Sequence, residues 1–124
     1  MSILHYRKHL AQDSTAFAKS APIKTSTYKL HLVADLIKGM EASKALLQLQ
    51  FCSKKVSYDM HEVLRSAISN AENNMCLDID RLYISEILVN KAFYLKRFMA
   101  KARGRAGRIQ KPFSRITIFV SEKK

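Results

Sequence analysis

The sequence predicts an α+β fold: three helices packed on a small three-stranded antiparallel sheet, with a long β-hairpin arm. Three observations carry that expectation. Apolar residues recur at helical spacing in three separate stretches between residues 30 and 71. Apolar and polar residues alternate with period two in "RLYISEILVN" and "SRITIFVS". Between these two lies "KAFYLKRFMAKARGRAGRIQKPFSR", with nine Lys or Arg and not one Asp or Glu.

The elements follow in chain order. "STAFAKSAP" fits a weak strand stopped by Pro22. "KTST" then offers Thr25, Ser26 and Thr27 as N-caps for "YKLHLVADLIKG". Leu30, Val33, Ala34 and Ile37 make one face of that helix, and Gly39 stands where a C′ glycine belongs. A short second helix fits "EASKALLQL", with Ala42, Ala45, Leu46 and Leu49 on its apolar side. Ser53 is the expected cap of a longer third helix. Its stripe is Val56, Met60, Val63, Leu64, Ala67, Ile68 and Ala71, and "NAENN" ends it. Asp78 and Asp80 in "LDID" read as turn chemistry. In the strand that follows, Leu82, Ile84 and Leu88 are expected on one face and Tyr83, Ile87 and Val89 on the other, with Glu86 breaking the alternation. In the last strand Ile116, Ile118 and Val120 oppose Thr117, Phe119 and Ser121.

A structureless loop of some 20 to 25 residues between the last two strands is uncommon in a small domain. Both strands are therefore expected to continue outward as a hairpin that turns near "AKARG". About a dozen residues a side at about 3.3 Å each would project about 40 Å. Such an arm cannot bury itself in a body this size. Its partner must be large, enveloping and anionic.

Charge supports that partner. The chain has 124 residues, the size of one domain, and a formal net charge of +12. Residues 30–90 hold six basic and eight acidic side chains, so the basic excess sits in the flanking segments. Nucleic acid is the expected polyanion, an anionic membrane the less common one. The composition, 48% hydrophobic and 26% charged, is globular rather than disordered. Cys52 and Cys76 form neither a disulfide framework nor a metal-ligand spacing, which suits a reducing compartment. "MSILHYRKHLAQD" lacks the apolar core of a signal peptide, and no stretch reaches the length of a membrane span. A cytoplasmic location is expected, with a basic organelle-targeting segment left open.

The cationic cluster Arg103, Arg105, Arg108, Lys111 and Arg115 suits phosphate, since guanidinium donates bidentately and can stack on bases. Gly104 and Gly107 permit close backbone approach. The plainer reading is a flexible basic loop, which Ile109 and Phe113 argue against. Phe93, Tyr94 and Phe98 interleave with Lys96 and Arg97, as in surfaces that stack nucleobases. They could instead be core, or an anchor at a membrane interface, although no sustained apolar helical face is present there. His5 and His9 are four apart, yet no further ligand stands near, and no metal site is expected. His31 and His61 fall within helices as surface or packing residues. No phosphate-binding glycine loop, nucleophile elbow or spaced carboxylate pair occurs, so neither an enzyme nor a cofactor is expected.

"KLHLVADLIKGM", "ALLQLQF", "VLRSAISNAENN", "LYISEILVN" and "LKRFMAKARGRAGRIQKPFSRITIFVSEK" together resemble the bacterial large-subunit ribosomal protein family numbered twenty-two. The similarity runs from about Ser14 to Lys123. It implies an α+β body anchored in large-subunit ribosomal RNA, with a hairpin arm lining the peptide exit tunnel. It divides the chain into an N-terminal extension, 1–13, and a single ribosomal-protein domain, 14–124, with the arm at about 90–112. The RNA-binding cations expected on this reading are Lys19, Lys24, Lys29, Lys91, Lys101, Arg103, Arg105, Arg108, Lys111 and Arg115. Leu95, Lys96 and Arg97 fall where the family's arm passes the tunnel constriction. Ala100 stands where proline is common, and "KAF" replaces a glycine–proline-like stretch. The implied partners are large-subunit RNA, neighbouring large-subunit proteins and the nascent polypeptide, with no membrane. The implied role is a structural constituent of the large subunit that organises its RNA during assembly. A free-standing basic RNA-binding or chaperone protein is the alternative.

Overall fold

The computed structural model describes residues 15–123. The proposed extension, with His5 and His9, lies outside the described residues. Within them the predicted α+β architecture is present: β1 (Thr15–Lys19), α1 (Thr27–Ile37), α2 (Ala42–Gln50), α3 (Lys55–Met75), β2 (Leu82–Ala100) and β3 (Ala106–Glu122). The strands form one antiparallel sheet in the order β1-β3-β2.

The helices bury the stripes that their spacing predicts. Leu30, Val33, Ala34 and Ile37 of α1 are buried, as are Ala42, Ala45 and Leu49 of α2. On α3, Val56, Met60, Val63, Leu64, Ala67 and Ala71 are buried, while Ile68 packs at the margin, partly exposed. These side chains meet Ala16, Ala18, Leu82, Ile84, Ile116, Ile118 and Val120 in one core. Burial of apolar area on this scale is what holds the helices, because their caps contribute little. Ser26 occupies the N-cap of α1 without a side-chain hydrogen bond. The N-cap of α3 is Lys54 rather than Ser53. Ser57 supplies the local polar contact there, donating its hydroxyl to the carbonyl oxygens of Lys54 and Cys52. At the far end Cys76 takes the left-handed conformation (φ 51°), and the N–H of Leu77 reaches back to the carbonyl of Ala71. The N–H of Cys76 itself donates to the carbonyl of Glu72, the five-residue bond of an αL-type stop. Asp78 then accepts from the N–H of Asp80, the turn predicted from "LDID".

The predicted faces of β2 require a correction. Ile84 pairs with Val120 and Glu86 with Phe119, so Ser85 is an extra residue in a β-bulge. One inserted residue reverses the side of every residue after it. The helix-side face is therefore Leu82, Ile84, Ile87 and Val89, and Leu88 joins Tyr83 and Glu86 on the opposite face. The broken alternation at Glu86 was the trace of this bulge. The opposite face is itself buried at Thr15, Leu88, Thr117, Phe119 and Ser121. There Phe17 lies beside Phe119 with ring centroids 5.8 Å apart, and the hydroxyls of Thr15 and Ser121 are 3.0 Å apart.

Candidate nucleic-acid interface

Beyond Asn90 and Arg115 the strands leave the body and stay paired with each other to Ala100 and Ala106. The turn falls within the predicted "AKARG". Arg103 (φ 59°) and Gly104 (φ 67°) occupy its centre, and the N–H of Arg105 donates to the carbonyl of Ala102. Positive φ at both central positions matches the right-handed twist of a hairpin. Glycine takes it freely, whereas an arginine there costs roughly 1 kcal/mol.

A clamp made by the segment before α1 holds the arm's root. The hydroxyl of Ser20 accepts from the N–H of Ile116, and the backbones of Ile23 and Ser114 exchange both hydrogen bonds. The buried Ser114 hydroxyl donates to the carbonyl of Thr25. This brings Lys24 beside the arm's base, a proximity that ninety residues of sequence separation conceal. A second bulge, at Ala92, lies at the same level, because Lys91 pairs with Ser114 and Phe93 with Phe113.

Past that bulge the register sorts the arm's side chains into two faces. Phe93, Leu95, Arg97 and Met99 share one with Phe113, Lys111, Ile109 and Gly107. Tyr94, Lys96 and Phe98 share the other with Pro112, Gln110 and Arg108. Arg115 continues the first face toward the body. Cations thus stand on both faces, with Lys101, Arg103 and Arg105 around the turn.

Lys19, Lys24, Lys29, Lys91, Lys101, Arg103, Arg105, Arg108, Lys111 and Arg115 are all exposed. Lys96 and Arg97 are exposed too, and Leu95 is half-buried. The structure does not gather these residues into one patch. Lys19 ends β1 and Lys29 lies on the first turns of α1. The triplet Leu95, Lys96 and Arg97 is divided, because Lys96 faces away from its two neighbours. Among the described residues the ion pairs are Lys44–Glu41 and Arg81–Asp78, both in the body, so the arm's cations have no carboxylate partner there. Glu41 illustrates the contrast. The hydrogen bond and charge of Lys44 at 2.9 Å hold its carboxyl below the ordinary value.

Periodicity could not show two further features. Phe93 and Phe113 stack with centroids 4.6 Å apart and planes 13° from parallel. Lys91 places its ammonium 5.9 Å from the ring centre of Tyr94. The central position of the turn was the signal available, since it sets which residue opposes which.

A helical body bearing an exposed hairpin of one charge sign defines a basic structural protein with a projecting arm. Residues 18–121 match the family described as Ribosomal protein L22p/L17e. The Large ribosomal subunit protein uL22 of Phenylobacterium zucineum is 52% identical over 107 residues, spanning 86% of this chain and 85% of that one. Its namesake in Maricaulis maris is 51% identical over 110 residues, 89% of this chain and 87% of that one. The one from Beijerinckia indica is 49% identical over 110 residues, 89% and 85% respectively. This chain belongs to the ribosomal protein L22p/L17e family. It is a structural ribosomal protein, not an enzyme.

Proposed function

We propose that this protein binds and organises large-subunit ribosomal RNA during assembly and lines the nascent-peptide exit tunnel with its arm. The observation that carries the reading is the hairpin beyond Asn90 and Arg115. It has cations on both faces and at its tip, no acid, and little packing against its own body. A two-stranded ribbon alone is marginal in water, so an arm of this length draws its order from surroundings that touch both sides. RNA meets that need, with phosphates pairing the cations by position rather than by base sequence.

The proposed RNA contacts are Lys19, Lys24, Lys29, Lys91 and Lys101, with Arg103, Arg105, Arg108, Lys111 and Arg115. Leu95, Lys96 and Arg97 are the proposed tunnel-lining residues. Their division between two faces makes the lumen surface either Lys96 or the Leu95–Arg97 pair at any one level. On the body, Tyr28, Leu32 and Leu36 expose an apolar stripe along α1, a surface suited to neighbouring large-subunit proteins. The proposed domain is residues 14–124, with an extension at 1–13. Its proposed location is the cytoplasmic ribosome.

Sedimentation of a tagged chain tests this reading. Comigration with large subunits at high salt is expected. Recovery only in free RNA complexes would favour a free-standing RNA chaperone, and recovery with lipid a membrane protein. For the tunnel, subunits carrying Lys96→Gln or Arg97→Gln are assayed for stalling by a tunnel-sensing peptide. A change in one but not the other identifies the lumen face. No change in either, with intact assembly, would remove these residues from the lumen.

A further inference from the structure

The stacked pair Phe93 and Phe113 sits where neither core packing nor charge explains it. Both rings lie beyond the core cluster, and Phe93 remains 45% exposed. Ala92, the bulged residue immediately before Phe93, resets the strand so that the two rings fall directly opposite each other. Their near-parallel planes, 13° apart at 4.6 Å, make a flat two-ring stack rather than an edge-to-face contact. Each ring covers one π face of its neighbour, and Phe93, on the edge strand β2, keeps nearly half of its surface exposed, which leaves room for a third planar group. Tyr94 differs, since the Lys91 ammonium already stands over its ring.

Cations bracket the stack. Arg115 and Lys111 lie two residues either side of Phe113 on β3, hence on the same face and about 7 Å from it along the strand. Both are exposed, and neither has a carboxylate partner among the described residues. A flat aromatic surface between two such cations complements a base joined to its two phosphates. An aliphatic protein side chain would satisfy the rings but leave both cations unanswered.

We infer that Phe93 and Phe113 form a stacking platform for one unpaired nucleobase of RNA, whose flanking phosphates pair with Arg115 and Lys111. The inference rests on the RNA-binding reading above and assigns it a discrete subsite. The platform accepts any base, because every base offers a π face. It therefore contributes a fixed anchoring point at the arm's root rather than sequence selectivity.

The test uses the full chain and two single-stranded 12-nucleotide RNA probes of equal charge: oligoadenylate and an abasic strand. Wild-type protein is expected to bind oligoadenylate more tightly by on the order of 10-fold. Phe93→Leu keeps the apolar bulk but removes the π face, and it should erase this preference while leaving the salt dependence unchanged. Phe93→Tyr should preserve it. Phe113→Leu is the second variant should Phe93→Leu fold poorly. Equal binding of both strands by the wild type would overturn the platform and leave the polyanion reading standing, as would a preference that survives Phe93→Leu. An apolar segment of a neighbouring protein as the true occupant would give that same equal binding. Binding of neither strand at low salt would overturn the RNA-binding reading together with the subsite.

Discussion

The hydroxyl of Ser114 donates to the carbonyl oxygen of Thr25 at 2.7 Å, joining residues 89 apart at the point where the arm leaves the body. Ser114 is buried, so this bond and the paired backbone bonds to Ile23 are the fixed end of the lever. Ser114→Ala is expected to lower stability by about 1 kcal/mol, the usual net value of one such bond plus a carbonyl left short of a donor. Chemical denaturation measures it, and amide exchange at Ile23 should quicken in parallel. An unchanged midpoint with unchanged exchange would show that the backbone pairing alone sets the root.

The body should not need the arm. The core is drawn from the helices and from strand residues at or below Val89 and Ile116. Replacing residues 93–112 with a short glycine-containing turn is expected to preserve a single cooperative thermal transition. A broad, non-cooperative melt would place part of the folding nucleus in the hairpin.

Leu64 and Ile68 separate the centre of the core from its rim. Leu64 is fully buried, and Leu64→Ala should cost about 2–5 kcal/mol. Ile68 is only partly buried and should cost distinctly less on the same substitution. Equal destabilisation in urea titration would contradict this difference in packing.

Cys76 ends α3 in a left-handed conformation that side chains disfavour. Cys76→Gly should therefore raise stability, by about 1 kcal/mol. A lower unfolding midpoint would mean that the thiol contributes something the backbone geometry does not reveal.

At the tip, charge should be read through salt. Changing Arg103, Arg105 and Arg108 together to Gln is expected to weaken RNA binding. It should also flatten the plot of log affinity against log salt, by about 0.7 for each phosphate no longer neutralised. A parallel plot of lower affinity would take these side chains off the phosphates.

How much of this was legible beforehand depends on the range of the interaction concerned. Periodicity alone located α1, α2 and α3 and their buried faces, because a helix's inward side repeats every three to four residues whatever it packs against. Charge sign and the length between two apolar strands required a projecting basic hairpin, and "AKARG" placed its turn. Family-specific stretches such as "SAISNAENN" supplied the ribosomal assignment. The faces of β2 were another matter. They depend on bulges at Ser85 and Ala92, and a bulge exists only in relation to the partner strand. For the same reason the triplet Leu95, Lys96 and Arg97, contiguous in sequence, is divided in space, while Phe93 and Phe113, twenty residues apart, stack. Lys24 reaches the arm's root because its neighbours Ile23 and Thr25 are bonded to Ser114. Local sequence determined which segments are helical, extended or cationic, since those preferences act over a few residues. Tertiary structure decided which side chains share a face along the whole of β2, because the bulges at Ser85 and Ala92 reset a register that the turn fixes only within the arm.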